Sequence, residues 1–183
     1  MIIDMKKGIT WAFVASAFIL IFTPISSFAV EHRDLTDSEI GAISQNCSSI
    51  KIHLQRIQKD DAKNRVNLGS QYETIATNLM LNLNLRLVKN SIANAALAEQ
   101  QPTFASERTR FKDDFIGYSQ EFENLLNINC KEEPIKFYRQ LELVREKRAD
   151  VKASMNRLND ILILHRQSIL ELKEQLWVKK RSR

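Results

Sequence analysis

The fold is decided by residues 134–176, which read PIKFYRQLELVREKRADVKASMNRLNDILILHRQSILELKEQL. From Phe137 onward, apolar residues recur in alternating steps of four and three, which is the spacing of a coiled-coil seam. The stretch therefore predicts a helix about 60 Å long, and its apolar stripe needs partner helices. The twelve positions of this seam are Phe137, Leu141, Val144, Arg148, Val151, Met155, Leu158, Leu162, His165, Ile169, Leu172 and Leu176.

Two polar residues, Arg148 and His165, stand on this otherwise apolar seam. A polar residue at a seam position can set register or oligomeric state at some cost in stability. The alternative for Arg148 is a stem that lies along apolar surface while its guanidinium meets an acidic neighbour. For His165 we favour a hydrogen-bonded core or edge histidine over a metal ligand, because the three histidines are far apart in the sequence.

The last part of the seam carries more apolar residues than one stripe needs. Ile161, Leu162, Ile163 and Leu164 form a continuous run, which indicates either a second partner or the centre of a three-helix core. A basic tail at 178–183 follows, with Lys179, Lys180, Arg181 and Arg183. We interpret it as a solvated end, although Trp177 just before it is suited to a lipid surface.

The composition favours long helices throughout. The 183 residues include only 4 Gly and 3 Pro, so there are few helix breakers. The sequence predicts an all-α protein, an elongated antiparallel three-helix bundle or coiled coil behind a signal peptide. One helical domain is expected at 30–183, with helices at 36–92, 102–127 and 134–177.

An export signal is predicted at residues 1–29. Lys6 and Lys7 precede an uncharged apolar run at 9–22, and cleavage is expected after Ala29. An uncleaved N-terminal membrane anchor is the alternative. The exported chain would carry a net charge of +4, because removal of two Lys and one Asp leaves 25 basic and 21 acidic residues. This charge allows weak contact with an anionic membrane or wall polymer, and no nucleic-acid partner is expected.

The predicted first helix begins at a capping box, Thr36 with Glu39. Its apolar register is interrupted by polar Asp61 and Asn64, and then slips by one residue after Leu68, where Gly69 suggests a bend. Residues 80–88 alternate leucine with polar residues, so a strand is the alternative to helix there. The second helix carries a core stripe of aromatic residues, namely Phe104, Phe111, Phe115, Tyr118 and Phe122.

Cys47 and Cys130 are the two cysteines, and an even pair in an exported chain predicts one disulfide. If the helices were straight and the turn lay near residue 93, the two cysteines would be about 14 Å apart along the helix axes. The internal bond then requires an earlier turn, a bend near Gly69 or an unwound segment at 128–130. Pairing between chains is the alternative.

Several segments resemble a group of exported helical proteins from ultra-small, host-attached bacteria of the saccharibacterial type. The segments are RVNLG at 65–69, YETI at 72–75, NLRLVKN at 84–90, DFIGY at 114–118, CKEEP at 130–134 with FY at 137–138, and REKR at 145–148. The resemblance implies an exported helical fold in which both cysteines belong to the pattern. It implies no catalytic residues and no activity.

No catalytic or metal-binding motif is present in the sequence, and Asp60 and Asp61 are interpreted as a solvated helix face. We therefore expect a non-enzymatic exported protein of the cell envelope or surface, without a cofactor, that binds a protein partner or itself through long helical faces. The alternative is an envelope chaperone of the helical-arm type. An enzyme would need a pocket with converging polar groups.

Overall fold

The structure, a computed structural model, describes residues 34–182, and from Leu35 onward the described chain forms one compact unit. Every regular element in this range is helical, which confirms the all-α prediction. The signal peptide predicted at 1–29 lies outside the described residues. The elements are α1 (Asp37–Gln45), α2 (Cys47–Thr74), a π-helical segment (Ile75–Leu81), α3 (Asn82–Lys89), α4 (Ala95–Asn127) and α5 (Pro134–Arg181).

Helix α1 starts at the predicted capping box and ends after nine residues. The Thr36 hydroxyl oxygen accepts a hydrogen bond from the Glu39 backbone N–H, and the Glu39 carboxylate accepts one from the Thr36 N–H. At Asn46, the side-chain amide donates to the Ala42 carbonyl at 2.9 Å. This local hydrogen bond competes with helical bonding, and it divides the predicted 36–92 helix into α1 and the continuous run 47–89.

The expected bend at Gly69 is wrong, because α2 continues through that residue without interruption. The irregularity lies at Ile75–Leu81, where the backbone is π-helical. A π turn holds one more residue than an α turn, so it absorbs the one-residue slip of the apolar register and keeps Ala76 and Met80 buried. The chain then continues as α3, and the strand alternative for 80–88 is wrong.

A tight turn at residues 90–94 reverses the chain. Ser91 is left-handed, with φ of 54°, and the amides of Ser91 and Ile92 donate to the carbonyls of Val88 and Leu87 at 3.0 and 2.9 Å. This is a Schellman motif. Ile92 packs with Leu87 and Leu97 in a small cluster that closes this end of the helices.

The second long helix starts at Ala95, seven residues before the predicted start. The Asn94 side chain caps it by accepting from the Leu97 N–H at 3.0 Å, and this cap favours a start ahead of Pro102. Pro102 therefore lies inside α4, where it cannot donate to the carbonyl one turn earlier. The start predicted from the proline alone was wrong.

Helices α4 and α5 are antiparallel and share a heptad core. Arg157 near the middle of α5 meets Glu107 of α4 at 2.7 Å, and Gln140 near the start of α5 reaches Glu121 at 2.8 Å. Buried positions recur every seven residues in both helices: Leu97, Phe104, Phe111, Tyr118 and Leu125 in α4, and Phe137, Val144, Val151, Leu158, His165 and Leu172 in α5. The other half of the predicted seam is only partly covered, and α5 runs for 48 residues to Arg181.

Cys47 and Cys130 form a disulfide within the chain, with Cα atoms 5.5 Å apart. Cys130 lies three residues beyond the end of α4, and the first of these, Ile128, is extended with ψ of 134°. An extended residue spans about 3.3 Å against 1.5 Å in a helix. The unwound segment at 128–130 therefore contributes the reach that straight helices lack.

Candidate functional site

A cleft of about 480 Å³ lies between α2 and α5, with the aromatic face of α4 as its floor. We call it the basic cleft. The described residues that line it are Asp61, Asn64, Arg65, Leu68, Phe111, Phe115, Tyr118, Arg145, Arg148, Ala149, Val151, Lys152 and Met155. The volume lies within the range of small-molecule sites in proteins, about 300–1,000 Å³.

The cleft exists because the middle of α2 packs loosely. Of the 28 residues of α2, Tyr72 alone is buried. Asp61 and Asn64 occupy two successive positions where the register of this helix would otherwise place apolar side chains. Polar side chains at these positions do not fill the space above the buried aromatic residues of α4, and a cleft remains there.

The floor of the cleft is apolar and well packed. Phe111, Phe115 and Tyr118 of α4 and Val151 of α5 are all buried. The rings of Phe115 and Tyr118 meet edge to face with centroids 5.5 Å apart, which is a favourable aromatic arrangement. Such a floor offers a ligand an apolar surface whose shape is already set.

The rim carries an excess of positive charge. Arg65, Arg145, Arg148 and Lys152 contribute +4, and Asp61 contributes −1, so the lining has a net charge of +3. Arg148 pairs with Asp61 at 3.1 Å. Among the described residues, no carboxylate lies within 4.0 Å of the cationic groups of Arg65, Arg145 or Lys152. Three of the four cations therefore lack an ion-pair partner.

Arg65 also lies over an aromatic ring of the floor. Its guanidinium carbon is 5.2 Å from the centroid of Phe115, a cation–π distance. The positive charge on the α2 side of the cleft is thus held against the floor instead of extending into solvent.

Asp61 joins the three helices around the cleft. Its carboxylate accepts a hydrogen bond from the Tyr118 hydroxyl at 2.6 Å and one from the Arg148 guanidinium at 3.1 Å. Burial, together with this hydrogen bond, raises the pKa of Tyr118 well above its usual value. The phenol therefore remains a proton donor to Asp61 throughout the physiological pH range.

One interpretation of the sequence placed the Arg148 guanidinium against an acidic neighbour. The structure shows that this neighbour is Asp61. The interpretation of Asp61 as part of a solvated face was wrong, because its side chain is only 16% exposed and links α2 to α4 and α5. Asp60, the adjacent residue, is exposed.

His165 lies away from the cleft, in the core between α4 and α5. Its Nδ1–H donates to Oε1 of Gln100 at 2.9 Å, and Nε2 of Gln100 donates to the Ser168 hydroxyl at 3.0 Å. Burial lowers the pKa of His165 below its usual value, so the ring is neutral near pH 7. Within residues 34–182, no three His, Cys, Asp or Glu side chains are grouped to hold a metal ion.

The run at 161–164 divides between core and surface. Ile161 and Leu162 pack against the main core, whereas Ile163 and Leu164 are exposed. Ile163 continues at intervals of seven residues into Leu170 and Trp177, and the three side chains are 57%, 50% and 53% exposed. We call these three residues the outer α5 stripe.

The predicted basic tail is part of α5 for most of its length. Lys179, Lys180 and Arg181 are exposed in the last turn of the helix, and Arg183 lies outside the described residues. The ammonium group of Lys180 is 5.8 Å from the ring centroid of Trp177. In the part of the chain that the structure describes, no helix has the length and apolar character needed to cross a membrane.

Comparison with known proteins gives no match to a protein family, to a curated protein sequence or to a solved structure. The geometry of the basic cleft is therefore the basis on which its role is inferred. Sequence reasoning noted the polar interruption at Asp61 and Asn64 but did not identify a cleft there. The i, i+3, i+7 spacing of Arg145, Arg148 and Lys152, which places three cations on one helix face, was a second signal that it passed over.

Proposed function

We propose that this chain is an exported, non-enzymatic helical protein that binds a protein partner through the outer α5 stripe. The observation that carries the proposal is the exposure of Ile163, Leu170 and Trp177 in one line on a helix that is already packed on its other side. Aligned apolar side chains of this size are a common feature of protein–protein contacts.

The geometry of α5 supports a second helical contact. Each residue of the stripe lies five positions after a buried residue of the core, such as Leu158, His165 or Leu172. Five residues correspond to a rotation of about 140° around a helix. Helix α5 therefore presents apolar residues on two nearly opposite faces, and an apolar face needs a partner.

Charges flank the stripe in an ordered way. Arg166 and Lys173 lie along one side, and Asp160 and Glu174 lie along the other, all of them exposed. Flanking charges of this kind set partner choice and orientation in coiled coils. A partner helix therefore fits when its acidic side faces Arg166 and Lys173 and its basic side faces Asp160 and Glu174. A second copy of α5 in parallel orientation meets this condition.

The disulfide between Cys47 and Cys130 supports export. Disulfides persist in oxidising compartments and are rare in the cytosol of most cells. The envelope or the cell surface is therefore the proposed location, and protein binding by a helical face is the proposed role.

Site-specific photo-cross-linking tests this proposal. A cross-linker at Leu170 is expected to give a discrete adduct with a partner or with a second copy, and a cross-linker at exposed Gln55 on α2 is the matched control. The substitution Leu170→Glu should abolish the adduct formed from a cross-linker placed at Trp177. Equal adducts from Leu170 and Gln55, or a strict monomer by light scattering with no adduct at all, would contradict the proposal.

A further inference from the structure

We infer that the basic cleft is a binding site for a single-chain amphiphile with a carboxylate head, of the fatty-acid type. This assigns a second role to the molecule, independent of the partner surface on the outer side of α5. Its basis is the combination of an apolar floor with rim cations that have no ion-pair partner among the described residues.

The floor selects for an apolar body. Phe111, Phe115 and Val151 are buried beneath the open volume, and the half-buried Leu68 and Met155 present apolar surface at one end of the cleft. Removing apolar surface from water stabilises a bound chain by about 25 cal/mol per Å². The cleft is long enough for a chain, because Arg145 and Met155 are ten residues apart on α5, or about 15 Å.

The rim selects for an anionic head. Arg145 and Lys152 point into the same cleft from one helix face, with Arg148 between them. Since Asp61 already occupies Arg148, a carboxylate can bind Arg145 or Lys152 without breaking an existing ion pair. A cationic head would meet a net charge of +3, and a neutral head would leave that charge unbalanced.

A hydrocarbon chain suits this floor better than a segment of polypeptide does. A peptide laid in the cleft would bury its own N–H and C=O groups, and each needs a hydrogen-bond partner. The polar groups closest to the floor, the Tyr118 hydroxyl and the Asp61 carboxylate, are already bonded to each other. The floor thus offers apolar contact with few free hydrogen-bonding groups, and an acyl chain requires none.

Calorimetric titration of the purified, oxidised protein with dodecanoate, below its micelle concentration, tests the inference. One saturable site is expected. Dodecanol, which lacks the charge, and acetate, which lacks the chain, are each expected to bind at least about tenfold more weakly. Absence of a saturable site, or equal binding of dodecanol and dodecanoate, would overturn the inference.

Paired charge variants locate the head group. The double variant Arg145→Gln/Lys152→Gln should weaken dodecanoate binding by about tenfold or more. The control Lys136→Gln/Arg139→Gln removes the same charge from exposed positions of α5 outside the cleft, and it should bind as the unaltered protein does. Equal affinities of the two double variants would place the ligand elsewhere.

A filling variant locates the chain. Asn64 is an exposed residue that lines the cleft, so Asn64→Trp should occupy the volume and abolish binding while the circular dichroism spectrum is unchanged. Full binding by this variant would overturn the inference. An acidic unstructured peptide is a competitor in the same assay, and its displacement of dodecanoate at equal or lower concentration would show that the cleft takes polypeptide instead.

The result does not depend on the partner surface. Leu170 and Lys152 are 18 residues apart on one helix, or about 27 Å, so Leu170→Glu should bind dodecanoate as the unaltered protein does. Loss of dodecanoate binding in Leu170→Glu would show that the ligand lies on the outer α5 stripe, and it would overturn the assignment to the cleft.

Discussion

Cys47 at the start of α2 and Cys130 beyond the end of α4 are joined with their Cα atoms 5.5 Å apart, although they are 83 positions apart in the sequence. The bond fastens the start of α2 to the loop between α4 and α5. Two further contacts lie beside it: the Ser44 hydroxyl donates to the Lys131 carbonyl, and the Lys51 ammonium donates to the Leu126 carbonyl.

Removal of the disulfide should lower the free energy of unfolding substantially. For a closed loop of this length, the double variant Cys47→Ser/Cys130→Ser should lose about 4 kcal/mol and retain its helical circular dichroism spectrum. Urea unfolding with and without reductant measures the effect, and reductant should not affect the double variant. Identical midpoints for the oxidised and the reduced protein would contradict this prediction.

The hydrogen bond between Tyr118 and Asp61 should contribute to stability, because its acceptor is a partly buried carboxylate. Tyr118→Phe should lose about 1.5 kcal/mol of unfolding free energy. Tyr72→Phe is the matched control, since that buried tyrosine has no hydrogen-bonded side-chain partner among the described residues. A double-mutant cycle with Asp61→Ala, which removes the acceptor, isolates the pair, and a coupling energy near zero would show that the bond adds nothing.

His165 should make stability depend on pH below neutrality. Its pKa is lowered in the folded protein by burial and returns to about 6.5 on unfolding. As the pH falls, His165 is therefore protonated at a higher pH in the unfolded chain than in the folded protein. The contribution of His165 to stability is complete above about pH 6.5 and is lost as the pH drops towards the folded-state pKa. Urea unfolding across this pH range measures the slope.

The variant His165→Asn has no titratable side chain at this position but keeps an N–H donor for Gln100. His165→Asn should therefore flatten the dependence of unfolding free energy on pH below about pH 6.5. An unaltered slope in His165→Asn would assign the effect to another group.

Glycine at the turn after α3 should stabilise the protein. Ser91 is left-handed, a conformation that costs a residue with a side chain about 1 kcal/mol and glycine almost nothing. Glycine also increases the conformational entropy of the unfolded chain, which offsets part of this gain. Ser91→Gly should therefore raise the free energy of unfolding by about 0.5 kcal/mol. Ser70→Gly inside α2 should lower it by a similar amount, and thermal unfolding of both variants distinguishes the two effects.

The long-range pattern of the fold could be predicted from the sequence because it depends on local spacing. Every seventh residue from Phe137 to Leu172 is buried, the other half of the predicted seam is only partly covered, and both cysteines are paired as expected. The start of α4 was missed because the prediction rested on Pro102 and did not consider Asn94 as a cap. The π-helical segment was missed because the sequence showed a register slip near Gly69 but not the place where packing around Met80 would accommodate it.

The basic cleft could not be predicted because it depends on the distance between two helices. Asp61 and Arg148 are separated by 87 residues, and their pairing exists only once α2 lies beside α5. The sequence showed polar residues at two register positions of α2, but the same pattern also fits an ordinary solvated stretch. The difference is the open space between α2 and α5 above the aromatic residues of α4, which is a property of the assembled core.

Helix α2 is fastened at both ends, by the disulfide at Cys47 and by the buried ring of Tyr72, whereas between them only half-buried side chains and the polar contacts of Asp61 hold it to the other helices. Most helices fray from their termini, because the last turns have the fewest contacts. In α2 the order should be reversed: amide hydrogens around Asn64 should exchange with solvent faster than those near either end. The centre of α2 would then move away from α4 and α5 while both of its ends stay in place. The basic cleft could widen in this way without unfolding of the protein.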